Sequence, residues 1–383
     1  MRGRAPAAVG KRKENRRCPG CGSSLLFIQR ALLPRGGRRE PDVVQPPRAT
    51  TPADDNCGKR TATATMVALP DRPTLVKCGY ISFCSCFGTL ARLYTDDIGP
   101  ASNVALQGSF LANSLGSFAL GVLTSSPDRE AASETVYAGL TVGLWGSYTT
   151  YSGWNLRVAR AALGEISGAP SGGIVAAVAI VTSLAFFASC FAAGSDMMKQ
   201  LASHGRTLQL RSMLGGGGTL SGGGRDELRT VLGMLGAVYA LLAVLLAVDN
   251  NWSRRIDWMA CMLAPFGALT RFYLARYGWT LNGRVRNGAF PLGTFLANVV
   301  GSLGMAILFF TARKLSWIVI GWNNVVVKAW LVGFFGSLTT MSTFMSEVVG
   351  HRDAHGPAAS YAYLAATAIT AISGALIVGA ALD

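Results

Sequence analysis

The sequence predicts an all-α integral membrane protein: two inverted four-helix repeats joined by a single linker transmembrane helix, behind a disordered basic N-terminal tail. Three observations carry that prediction. Only 14% of the 383 residues are charged, against about 25% in a soluble globular domain. The apolar residues gather in long blocks, and a helix needs about 20 mostly apolar residues to cross the hydrocarbon core. Finally, the blocks repeat, in order, between the two halves of the chain.

The tail comes first. Residues 1–75 hold fifteen Lys/Arg and six Asp/Glu, with stretches such as "KRKENRR" and "PRGGRREPDVVQPPR". A segment this rich in Pro, Gly and charge cannot bury enough apolar surface to fold, so a solvated arm is expected; a transit peptide or a lipid-attracted arm would share its composition. Much of the formal net charge of +15 sits here, and no nucleic-acid partner is expected. Cys18 and Cys21 form a lone "CPGC" doublet without the second pair of a zinc site. Cys78, Cys84, Cys86, Cys190 and Cys261 lie in apolar blocks, where Cys behaves as a small hydrophobe.

By length, spanning blocks fall at 76–94, 104–125, 136–157, 172–194, 230–248, 256–277, 291–312, 327–348 and 360–382. Three motifs recur among them. "FGTLARLY" (87–94) returns as "FGALTRFY" (266–273), "GSFLANSLGS" (108–117) as "GTFLANVVGS" (293–302), and "GLWGSYTTYSGW" (143–154) as "GFFGSLTTMSTF" (333–344). The offsets of 179, 185 and 190 preserve order and differ only by loop length, which is an internal duplication. Between the copies lie a Gly-rich linker and "VLGMLGAVYALLAVLLAV" (231–248), which has no counterpart. Four helices return the chain to its starting side, and one more puts the second copy in upside down. Inverted repeats about an axis in the membrane plane are a transport architecture. The expected units are therefore 1–75 (tail), 76–194 (first repeat), 195–254 (linker and inverter helix) and 255–383 (second repeat).

Each copy carries chemistry in the same places. Asn113 and Asn298 sit mid-block among small residues, with Gly116 and Gly301 placed for close helix approach. One intramembrane Asn reads as interhelical glue, whereas two at matched positions point toward an ion pathway. Thr149–Thr150 and Thr339–Thr340 follow the pairs Gly143/Gly146 and Gly333/Gly336, a poor recipe for an unbroken helix. A break at membrane depth frees carbonyls that other protein, water or a hard cation must satisfy. Tyr151 with Trp154, and Met341 with Phe344, are spaced by three on one helix side; ring edges are positive and attract a small anion. Arg92 and Arg271 end the first block of each copy, either snorkelling or drawing anions to a vestibule.

Absences narrow the function. All three His (His204, His351, His355) fall in expected loops, no mid-block pair of carboxylates is present, and no Walker-type Gly-rich loop appears. No Ser/His or metal constellation for a membrane hydrolase is visible either, so the chain is not expected to be an enzyme. The positive-inside bias favours a cytoplasmic amino terminus: the basic tail with Arg129, Lys199, Arg206, Arg211, Arg284 and Arg286 on one side, against Arg157, Arg160, Arg254, Arg255, Arg313 and Lys328 on the other.

The three motifs, in this order and duplicated, resemble the CrcB/Fluc fluoride channel family, and the tandem form is similar to the eukaryotic fluoride exporters of that family. The resemblance covers about residues 80–190 and 258–382. It implies a fluoride-selective passive channel in the cell membrane, expected to be the plasma membrane, exporting F⁻ from the cytoplasm and conferring fluoride resistance. The partners it implies are fluoride and the lipid bilayer, with one chain acting as a monomeric pseudo-dimer. It further implies pore roles for Asn113, Asn298, Tyr151, Trp154, Met341 and Phe344, and a central Na⁺ held by backbone carbonyls of Gly146, Thr149, Gly336 and Thr339. Hydroxyls of Thr367 and Thr370, with Ser183 in the first copy, would line a polar track. Only Phe344 keeps the family's Phe, so a Tyr151/Phe344 route is expected to conduct and a Met341/Trp154 route to be degenerate. A coupled secondary transporter and a non-transporting structural membrane protein are the rival readings.

Overall fold

The computed structural model describes residues 71–98, 109–130, 133–165, 172–204, 225–285 and 290–382. The basic tail up to residue 70, Cys18 and Cys21 within it, and most of the Gly-rich linker lie outside the described residues. Every described span is helix, turn or coil. The first copy contains α1 (Arg72–Ile98), α2 (Phe110–Thr124), α3 (134–148), α4 (Tyr151–Ala162) and α5 (Gly172–Ser203). Then come α6 (Arg225–Val248) and the second copy: α7 (Trp252–Val285), α8 (Leu292–Lys314), α9 (322–338), α10 (Ser342–His355) and α11 (Pro357–Leu382). Among the described residues the expected blocks fall on helix, two of them on helices interrupted in the middle, while the start of the block 104–125 lies outside the described residues. Among the described residues, six helical stretches are long and apolar enough to cross a membrane, and Phe110–Thr124 is a shorter apolar helix.

The interruptions are alike. α3 begins as Glu134–Ala138, widens into a π-helix over Gly139–Trp145 and closes with Gly146–Tyr148; α9 repeats this as Trp322–Ala329, Trp330–Phe335 and Gly336–Leu338. Each then stops at an extended Thr (Thr149 φ −97, ψ 150; Thr339 φ −95, ψ 154). α4 and α10 restart the helix two or three residues later. The expected break is therefore present in both copies, with a π-helical turn before it that composition alone did not announce.

The copies exchange partners. α4, from the first copy, packs on α8 and α11 of the second, while α10 packs on α2 and α5 of the first. α1 lies against α7, its counterpart. Contacts of this i-to-j, j-to-i kind are what a two-fold axis imposes, and tandem repeats on such an axis fit an inverted-repeat membrane protein. Close approach depends on glycine: a Cβ on Gly88 would strike the Leu144 carbonyl, and one on Gly267 the matching Phe334 carbonyl. The unpaired α6 packs on α1 and α7 and is otherwise outward-facing, as a lipid-facing span should be. Its turn into α7 is pinned by Asp249, which accepts from the Asn251 N–H at 2.9 Å and Trp258 Nε1 at 3.1 Å. Those donors hold the Asp249 carboxyl below the usual carboxylate range.

Several helices run further than the expected blocks, and this changes the reading of the charges. Lys199, Arg254, Arg255, Arg284, Arg157, Arg160, Arg313 and Lys328 lie on helices rather than in loops. Charged tips near helix ends can reach water while the backbone stays helical. His351 and His355 are likewise on α10, not in a loop.

Candidate functional site

At the centre of the molecule the two breaks face each other, and the tandem threonines divide the labour. The first Thr of each pair caps the other copy. Thr339 Oγ1 accepts from the Ser152 N–H at 2.9 Å and the Tyr151 N–H at 3.2 Å, while Thr149 Oγ1 accepts from the Ser342 N–H at 3.2 Å. The second Thr caps its own helix: Thr150 Oγ1 takes the Gly153 N–H at 3.3 Å, and Thr340 Oγ1 the Thr343 N–H at 3.4 Å. Unpaired N–H groups at a helix start need such acceptors. A hydroxyl belt completes the joint, with Thr149–Ser342 at 3.0 Å, Thr149–Thr340 at 3.1 Å and Thr339–Ser152 at 2.8 Å.

Asn113 and Asn298 are fully buried and grip the breaks of their own copies. Asn113 Nδ2 donates to the Thr150 carbonyl at 3.0 Å while its Oδ1 accepts from the Thr150 N–H at 2.9 Å; Asn298 does the same to Thr340 at 3.1 and 2.9 Å. Each amide thus replaces a strand-like neighbour for one extended residue. The Thr150 N–H points to Asn113 instead of back to the Gly146 carbonyl, and the Thr340 N–H points to Asn298 instead of Gly336. A Cβ on Gly116 would collide with the Thr149 methyl, and one on Gly301 with the Thr339 methyl, so the small residue of the Asn motif is required for this grip.

Arg92 and Arg271, expected at a vestibule, are buried at 2% and 5% exposure. Arg271 Nη2 donates to the Val142 carbonyl at 2.7 Å, Arg92 Nη2 donates to the Val332 carbonyl, and Arg271 Nε reaches the Ser337 carbonyl at 3.2 Å. Val142 and Val332 are equivalent positions in the two π-helical turns. The guanidinium groups therefore cross the axis and satisfy carbonyls loosened by the wider helix. Their planes occupy the space over Gly146 and Gly336, where a Cβ would meet them.

The aromatic positions converge in one cluster with residues of both copies. Tyr151 and Phe344 meet edge to face, with centroids 5.5 Å apart at 89°; Tyr151 also touches Trp154 at 5.2 Å. Met341 is fully buried in the same cluster. Trp154 Nε1 donates to Ser183 Oγ at 2.8 Å, and Ser183 in turn donates to the Ala179 carbonyl. Thr367 is buried and bonded to the Tyr363 carbonyl at 2.9 Å. Thr370 does not join it: three residues on, its side chain is exposed on the outward face of α11.

The structure adds three residues that the sequence reading missed. Phe344 packs edge to face on Tyr363 at 5.3 Å, and Tyr363 Oη donates to Glu347 Oε2 at 2.7 Å. Thr294 Oγ1 donates to the other carboxylate oxygen, also at 2.7 Å. Glu347 is the only acidic residue in the block 327–348, and an intramembrane carboxylate is itself a pointer to function. By the offsets of the duplication, the first copy has Arg157 and Ser109 in place of Glu347 and Thr294. The two sides of the axis are chemically unlike.

Fold and site together define a tandem-repeat membrane protein built around two axis-related broken helices. The chain belongs to the family described as CrcB-like protein, Camphor Resistance (CrcB), whose sequence model matches it twice, over residues 79–195 and 258–380. Fluoride export protein 1 of Candida albicans is 38% identical over 127 residues, 30% of each chain. Fluoride export protein 1 of Neurospora crassa is 31% identical over 240 residues, 57% of this chain and 43% of its own length. Fluoride-specific ion channel FluC 1 of Bifidobacterium longum is 33% identical over 97 residues, 24% of this chain and 69% of the relative. The chain spans less than half the length of these two fungal relatives. No solved structure matches it.

Proposed function

We propose that this chain is a fluoride-selective passive channel that exports F⁻ from the cytoplasm and confers fluoride resistance, with one working and one degenerate route. The observation that carries the reading is the Tyr151/Phe344 ring pair. It joins the two copies edge to face and continues through Tyr363 to Glu347 and Thr294 on one side of the axis only. Removing a small anion from water without replacement donors costs many kcal/mol. Ring edges, hydroxyls and the remaining N–H of each Asn amide are donors that suit an anion. On the other route Met341 offers no positive ring edge and the Trp154 N–H is committed to Ser183. A potential of about −100 mV drives an anion outward by about 2.3 kcal/mol per charge, so no energy coupling is needed.

A central Na⁺ belongs to the same proposal. The carbonyls of Gly146 and Gly336, from which the fourth-following N–H has been turned away, are hard oxygen donors of the kind Na⁺ takes, with those of Thr149 and Thr339 beside them. Such an ion would tie the two breaks together electrostatically. One chain would act as a monomeric pseudo-dimer in the plasma membrane, its amino terminus cytoplasmic, with tail, repeats and inverter divided at about residues 75, 194 and 254.

The test is efflux from liposomes holding the purified chain: fluoride leaves, chloride stays. Equal leakage of both, or of neither, rejects the reading. The carboxylate of Glu347 on the route favours a second reading, a coupled transporter. Uphill fluoride movement driven by a proton gradient alone would select it.

A further inference from the structure

Beyond the ring pair, Glu347, His351 and His355 stand at successive four-residue spacings, a row along one face of α10. Glu347 forms the inner end. His351, one turn further, is buried at 4% exposure, and its Nδ1 has no hydrogen-bond partner among the described residues. Its ring lies 6.2 Å from Tyr363 and 4.6 Å from the ring of His355. His355 is exposed at the helix end, where Gly356 takes φ 87 and stops the helix. At offset 190 the first copy has Arg157, Ala161 and Glu165, so the row belongs to the second copy alone, the side that carries the Glu347 triad.

We propose that His351 is a titratable anion-binding station at the α10 end of the Tyr151/Phe344 route, its unpartnered Nδ1 donating to fluoride when it carries a proton and its imidazolium form raising fluoride flux as pH falls. This rests on the fluoride reading above. A buried polar nitrogen left without a partner costs free energy, and in its protonated form it is a vacant donor for a small anion passing Tyr363. Protonation makes both ring nitrogens donors and offsets the Glu347 charge one turn away, which otherwise repels an anion. The groups that face His351 are few. On α10 they are Glu347 and His355, with the exposed Arg352 and Asp353 at the next two positions, off that face. α11 offers Tyr363 and Ser360, and has no charged residue from Pro357 to Leu382. α2 has no titratable side chain. α5 has Cys190, and Asp196 with Lys199, which are exposed and paired with each other at 3.5 Å. The nearest titratable ring is that of His355, 4.6 Å away.

The experiment measures fluoride efflux from vesicles containing the full chain, with equal pH on both sides, between about pH 5 and pH 8, the range in which His titrates. Protein-free vesicles at each pH remove the leak of neutral hydrogen fluoride. Wild type is expected to run several-fold faster at the acid end. His351→Gln keeps a donor that does not titrate and should carry fluoride with a flat pH profile. His351→Phe keeps the ring shape without the donor and should be slower at every pH. A pH step that survives His351→Gln, or is absent from wild type, overturns the proposal. So does a step that vanishes only in Glu347→Gln, which assigns the titration to the carboxylate. Absence of fluoride efflux from wild type at every pH overturns the channel reading itself.

Discussion

Two side chains separated by 193 positions, Tyr151 and Phe344, make the contact on which the functional reading turns, and they are unequal to the pair across the axis. The asymmetry predicts unequal mutants. Phe344→Ala removes the ring that bridges Tyr151 and Tyr363 and should abolish fluoride resistance in cells lacking their own exporter. Trp154→Ala, which breaks a bond to Ser183 and a ring contact with Tyr151 but leaves the Tyr151/Phe344 pair, should leave resistance in place; equal losses from both would contradict a single working route. Both variants should be compared at matched membrane abundance. Burial makes the residue scale hard to read from the sequence. Asn113 and Asn298 were legible as important because an amide is out of place among Leu and Ala. That each would take both backbone groups of one Thr was not legible, since the Thr lies 37 or 42 residues away. Glu347 could have been found from its charge alone; Tyr363 could not, because tyrosine is ordinary in a spanning helix.

Among the elements, the broken helices carry most of the information. The Gly and Thr content of 143–150 and 333–340 announced a break in each copy, and the breaks are there. The reciprocal capping was hidden because it pairs Thr339 with Ser152 and Thr149 with Ser342 across the axis. It has a testable consequence. Thr339→Val keeps the branched shape and the backbone carbonyl but removes the hydroxyl that receives two N–H groups of α4. Lost caps cost about 0.5–2 kcal/mol, so the purified variant should melt several degrees lower in detergent, whereas Thr339→Ser should melt near wild type. An unchanged melting temperature for Thr339→Val would mean that the cap is replaceable. The arginines were misplaced for a related reason: a guanidinium near a block end usually reaches water, and here the π-helical carbonyls of the opposite copy outbid the solvent.

For the whole molecule, the odd helix is the decisive feature. With α6 between the repeats, the second copy is expected to enter the bilayer reversed, and the carboxyl terminus should then lie on the opposite face from the amino terminus. Single cysteines introduced at residue 2 and at residue 383 of a chain otherwise cleared of cysteine would report this through a membrane-impermeant thiol reagent added to sealed, right-side-out cells. One terminus should label before lysis and the other only after; labelling of both together would remove the inversion and the route built on it.

The sequence by itself determined the class of the protein, its duplication, the unpaired helix between the copies and the places where polarity enters the bilayer. Those follow from block length, order and composition, which are local properties of a chain that must satisfy its own backbone in lipid. Only the tertiary structure decided which copy caps which helix, where the arginines end, and that Glu347, Tyr363 and His351 line one side of the axis. Those depend on residues brought together from distant positions by packing across the pseudo-two-fold, and no local pattern encodes such a meeting.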